Sequence, residues 1–179
     1  MRLTRRELGA AVVATLAART PLRSAGRQQA APVPPIMYDS DGLIVHRFSP
    51  EEAAQGDMGG GDTAQREGWY WFGVWIRQNT PGLTPWPEKR KLTFEQVLRL
   101  LEPNGDGIFF RHPKQPKFSK PFDKAYGFSR DQMLPLVAAM GVWGQHARLR
   151  RLWDALPQDP ITGIRHSFNG SWMTVPVIN

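Results

Sequence analysis

The sequence predicts a mainly α chain of repeated αα-hairpins, and three observations lead there. Four segments carry apolar residues at helical spacing, three of them opening on a capping residue and two ending at a proline. The triplet Gly73-Val74-Trp75 recurs as Gly141-Val142-Trp143. The run Gly107-Ile108-Phe109-Phe110-Arg111-His112 follows the second helical segment, and Gly163-Ile164-Arg165-His166 follows the fourth. Each unit therefore reads as helix, helix, then a short extended segment.

Residues 1–30 precede this pattern. Thr4-Arg5-Arg6-Glu7-Leu8 leads into an apolar stretch that ends near Ala18, a charged region followed by a short hydrophobic one. The paired arginines, with Leu8 two places on, resemble a twin-arginine export signal. That resemblance implies a signal peptide over 1–30, a periplasmic or secreted protein, and the twin-arginine export machinery as a partner. The same residues dominate the charge. They hold six Arg and one acid, whereas the rest of the chain holds 17 basic and 15 acidic residues, within a formal net charge of +7. A nearly neutral remainder argues against nucleic acid as a partner. The absence of Cys excludes disulfides, thiolate metal sites and a Cys nucleophile, and no apolar run reaches the roughly 18 residues of a membrane span.

Residues 31–60 read as a linker and Gly-rich lead-in. Pro32, Pro34 and Pro35 favour an extended chain, residues 42–48 suit a short strand, and residues 56–61 are a Gly-rich turn. Residues 61–179 form the helical-hairpin domain. Its helices are expected over 62–79, 93–102, 129–143 and 145–156. Asp62 with Gln65, Thr93 with Gln96 and Ser129 with Gln132 have capping-box spacing. Pro103 and Pro157 end two helices, and Pro135 falls inside the third, where a kink is expected.

All seven Trp fall between Trp69 and Trp172, a supply of core volume that also suits stacking on sugar rings. Helical hairpins of this aromatic-rich texture resemble part of an (α/α) toroid, the architecture of enzymes that cut polysaccharides. The resemblance covers residues 61–179 and implies a glycoside hydrolase, a polysaccharide lyase or a truncated relative, with an oligo- or polysaccharide as ligand. A full toroid has more hairpins than this chain can hold.

Capping explains Asp62, Gln65, Ser129 and Gln132, and the helix dipole favours Glu67 and Asp131. It does not explain Arg66 and Arg130, cations placed at the positive ends of helices. If the helices run up and down, Asp62, Arg66 and Glu67 meet Arg111, His112, Arg130 and Asp131 at one end. The expected site then has Asp62, Glu67 and Asp131 as candidate acids and His112 as a candidate lyase base. Arg66, Arg111 and Arg130 bind substrate, with Trp69 or Tyr70 on the wall. Each of these residues also has a structural reading, as a solvated helix start or a hydrogen-bonded core side chain.

No metal site is expected and no cofactor is identified. Asp39-Ser40-Asp41-Gly42 and Asn104-Gly105-Asp106-Gly107 read as Asx-Gly turns. The basic run from Lys114 to Lys124 reads as a surface loop that could also meet an acidic polysaccharide. The reading from a different class is a non-catalytic helical subunit of a periplasmic complex. Two hairpins leave a terminal apolar face, so self-association or a partner subunit is expected as well.

Replacing Arg5 and Arg6 together by Lys is expected to hold the protein in the cytoplasm. Fractionation that recovers the double variant from the periplasm at the normal level contradicts the export reading.

Overall fold

The computed structural model describes residues 35–85 and 90–170. The expected signal peptide, residues 31–34, Trp86 and the C-terminal segment with Trp172 lie outside the described residues. Among the described residues the chain is mainly helical: β1 (Met37–Tyr38), β2 (Ile44–Val45), α1 (Pro50–Ala54), α2 (Thr63–Asn79), α3 (Phe94–Leu101), α4 (Arg130–Val142) and α5 (His146–Ala155). No described helix is long and apolar enough to cross a membrane.

β1 and β2 pair antiparallel, with Met37 opposite Val45 and Tyr38 opposite Ile44. Asp39 makes the turn, its Oδ1 accepting from the amides of Asp41 (3.0 Å) and Leu43 (2.8 Å). The expected strand over 42–48 is thus two residues long. Its surroundings do more than link, because Leu43, Ile44 and Val45 are buried in the core. The helix α1 was not foreseen. Ser49 and Glu52 form a reciprocal capping box there, with Pro50 in the first turn.

Of the three expected capping boxes only Thr93 with Gln96 forms. The Thr93 amide donates to Gln96 Oε1 (2.8 Å), and the Gln96 amide donates to Thr93 Oγ1 (3.3 Å). Asp62 and Ser129 make no side-chain cap. Instead Gln132 of α4 caps the first turn of α2 and is itself held by Asp62. The Gln65 amide donates to Gln132 Oε1 (3.2 Å), and Gln132 Nε2 donates to Asp62 Oδ1 (3.0 Å). Pro135 explains a third link. It has no amide hydrogen, so the Asp131 carbonyl four residues earlier has no partner within α4. Gln65 Nε2 donates to that carbonyl across the interface, at 3.2 Å.

The two helices run parallel and touch at their backbones. A Cβ on Gly68 would stand 2.5 Å from the carbonyl carbon of Pro135 and 2.8 Å from the Cα of Leu136. Further along, Trp143 Nε1 donates to the Trp71 carbonyl (2.9 Å), and the two indoles meet edge to face at 5.7 Å. The core lies to one side of this pair. It comprises Leu43 and Ile44, Val74 of α2, Val97, Leu98 and Leu101 of α3, Met133, Leu136 and Met140 of α4, and Leu152 of α5, together with Phe109, Phe128 and Phe168 from loops.

α5 is tied in by charge. Glu102, just past α3, is fully buried. It accepts from Arg148 Nε (2.6 Å), Arg151 Nε (3.2 Å) and the Gly107 amide (2.8 Å). Gly107 has φ +85°, and a Cβ there would collide with the Arg151 carbonyl. Burial works against the Arg148 charge, but its hydrogen bonds to the carboxylates of Glu95 and Glu102 outweigh it and raise its pKa.

Two substitutions in α2 should act in opposite directions. Gly68→Ala is expected to destabilise by about 3 kcal/mol or more, since the clash is with backbone that cannot move aside. Gly73, with nothing within 4 Å of its would-be Cβ, should gain about 0.5–1 kcal/mol as Gly73→Ala from helix propensity. Denaturant unfolding of both variants reads the signs.

Candidate functional site

The first turns of α2 and α4 bring Asp62 and Asp131 together at one end of the parallel pair, with Arg111 beside them. Arg111 lies on the extended run after α3. Its carbonyl accepts from the Ala64 amide of α2 (3.3 Å). Its Nε donates to the Gly127 carbonyl (2.6 Å) and its Nη2 to the Ala125 carbonyl (3.4 Å). Burial lowers the pKa of this guanidinium, opposed by the nearby carboxylates of Asp62, Asp123 and Asp131. Asp123 is in turn held below its usual range by the amides of Tyr126 and Ala125. Arg66 and Arg130 flank the carboxylates on the surface, 4.0 Å from Asp62 and 3.3 Å from Asp131. Trp69, 58% exposed, follows Arg66 by one helical turn.

Three expected members of the site are elsewhere. Glu67 points away from this surface and is fully buried. Its Oε1 accepts from the Ile44 amide (2.8 Å) and from Arg90 Nη2 (3.0 Å), and its Oε2 accepts from Trp71 Nε1 (3.2 Å) and Arg90 Nη1. Burial pushes its carboxyl up, and Arg90 opposes the shift. Glu67 joins the hairpin to α2 and is not a solvent-facing acid. Thr63 Oγ1 adds to the joint by donating to the Ile44 carbonyl (2.8 Å).

His112 is 2% exposed and has both nitrogens engaged. Nδ1 accepts from the Lys114 amide (3.3 Å), so Nε2 carries the hydrogen that meets Asp39 Oδ2 at 2.7 Å. An imidazole fixed in this way cannot serve as the lyase base. Burial raises the pKa of Asp39, but the hydrogen bonds from His112 and the Leu43 amide prevail and lower it.

Tyr70 faces the core side of α2 and not the polar wall. It lines a second feature, an aromatic cavity of about 390 Å³ with Trp71, Val74, Phe94 and Trp143. Arg90 stacks there, 5.1 Å from the Tyr70 ring and 5.0 Å from Tyr38. Arg90 was missed in the sequence because it sits in the charged run Glu88-Lys89-Arg90-Lys91, where nothing marks one cation as buried. Asp39 was read as a turn residue and is one; its partner 73 residues away left no local sign.

Among the described residues no group of three or more His, Asp or Glu side chains is arranged to hold a metal ion. Compared with known proteins, the chain matches no family model, no curated protein and no solved structure.

Arg90→Met removes the countercharge of a buried carboxylate and is expected to cost about 3–5 kcal/mol near neutral pH. A carboxyl with a raised folded pKa binds its proton more tightly when folded. Its stabilising share is complete below the unfolded pKa and is lost as pH rises through the folded one. The deficit of Arg90→Met should therefore shrink as pH falls from neutral toward the ordinary carboxylate range. Unfolding free energies measured across that interval check the slope.

Proposed function

We propose that this chain is an exported glycan-processing module, with its site at the shared start of α2 and α4. One observation carries the proposal: the cross-capping of the two helices sets Asp62 and Asp131 on adjacent rigid first turns with Arg111 beside them. Glycoside hydrolysis requires two carboxyl groups facing the scissile bond, roughly 5–9.5 Å apart. Asp62 and Asp131 are the pair assigned that role. Arg66, Arg111 and Arg130 hold the sugar, and exposed Trp69 offers a ring face for stacking.

A partial (α/α) toroid is the finer fold reading. It is supported by register. The two Gly-Val-Trp triplets are 68 positions apart, as are Gly68 and Leu136, which meet at the α2–α4 contact. At that contact two equivalent repeat positions are neighbours, as stacked repeats require.

A second reading, a non-catalytic helical subunit that binds a glycan or a partner without cutting, is favoured by a specific observation. Two of the four candidate acid–base groups, Glu67 and His112, are consumed in buried pairs.

Release of reducing ends from a polysaccharide panel separates the two. The hydrolase reading expects activity that falls by about 100-fold or more in Asp131→Asn and in Asp62→Asn, in line with the loss of a positioned acid or base. Binding without cleavage, unchanged in both variants, supports the subunit. Absence of both binding and cleavage rejects the glycan proposal.

A further inference from the structure

Arg111 is unusual among the cations at this end. It is half-buried, yet among the described residues it forms no ion pair, although the carboxylates of Asp62, Asp123 and Asp131 are close enough to act on it electrostatically. Its Nε and Nη2 are occupied by the Gly127 and Ala125 carbonyls. That fixes the plane of the guanidinium and leaves the Nη1 end for a ligand. A guanidinium that has lost water without gaining a carboxylate is poised for one, because its planar fork matches a carboxylate in two hydrogen bonds.

The neighbours point the same way. Arg66 and Arg130 hold their carboxylates only in exposed pairs, with side chains 44% and 49% exposed, and such pairs exchange readily for a better anion. Lys120 acts electrostatically on Asp123 and brings a further positive charge to the same end. The loop that Arg111 anchors carries Phe122 and Tyr126, 53% and 43% exposed. Exposed rings on that loop suit stacking against a pyranose.

We propose, resting on the glycan reading above, that the glycan is a uronate-containing polysaccharide and that Arg111 receives the uronate carboxylate. The carboxylates of Asp62 and Asp131 then face hydroxyl groups of the same or the next ring.

The test uses the purified protein on immobilised uronate-containing polysaccharides, on the same samples after chemical reduction of their carboxyl groups, and on sulfated and neutral polysaccharides. The expected result is binding to the uronates that weakens by 10-fold or more on carboxyl reduction and again with added salt. Arg111→Met should lose a similar factor, and Arg111→Lys should recover part of it. Because Arg111 also anchors a loop, the double variant Arg66→Gln with Arg130→Gln, altered only on exposed helix surface, should weaken binding with its circular dichroism unchanged. Equal binding before and after carboxyl reduction overturns the uronate proposal and leaves the glycan reading standing. Binding to sulfated samples alone also overturns it. Absence of binding to every polysaccharide overturns both.

Discussion

The contact that organises this protein is the backbone approach of α2 and α4 at Gly68. A side chain at that position would push the helices apart, and the hydrogen bonds at their first turns would then be out of reach. With the helices close, Gln132 caps α2 by accepting from the Gln65 amide, and the carbonyl that Pro135 leaves without a donor finds one in the Gln65 side chain. Each such bond contributes roughly 0.5–1.5 kcal/mol in net terms, so their larger effect is geometric. They place Asp62 and Asp131 on rigid, neighbouring turns.

Around this pair the loops are held by buried charge. Glu67 reaches the hairpin, the Trp71 indole and Arg90 from one position in α2. Glu102 joins the end of α3, the Gly107 turn and α5 in the same way. His112 with Asp39 links the run after α3 to the hairpin turn. Buried ion pairs add little stability over apolar packing, but losing one partner is costly, which makes them strong determinants of position. Segments too short to bury much apolar surface, such as the two-residue strands, depend on these links. The consequence for chemistry is direct: Glu67, Glu102 and the His112 imidazole are spent in holding the fold together, whereas Asp62 and Asp131 on the helix starts keep exposed carboxylates.

Local signals made much of the fold legible in the sequence. All four long helices begin and end within a residue of their expected bounds, because apolar periodicity and the prolines after them act over a few residues. The capping boxes show where such reasoning stops. Thr93 and Gln96 cap their own helix, whereas Asp62 and Gln132, with the same spacing, turn to each other across the interface. Spacing cannot tell whether another helix start competes for the same side chains. Arg111 with Asp62 and Asp131 was legible from the up-and-down path of the helices. Glu67, Tyr70 and His112 were misplaced for one reason: position along a helix or strand fixes which end a residue occupies, and only packing fixes which face. Arg90 and Asp39 owe their roles to partners 23 and 73 residues away, a kind of pairing that leaves no trace in local pattern.

The central claim is that the cross-capped starts of α2 and α4, with Arg111, are where a glycan binds. The most direct measurement is a nuclear magnetic resonance titration of the ¹⁵N-labelled protein with a uronate oligosaccharide, following backbone and side-chain N–H signals. The account predicts that the Arg111 Nε–H, the Gln132 side-chain amide and the Gln65 backbone amide shift first and together, while the indole N–H of Trp143 stays in place. Shifts confined to Trp143, Gln78 and the aromatic cavity, with Arg111 and Gln132 unmoved, would contradict it.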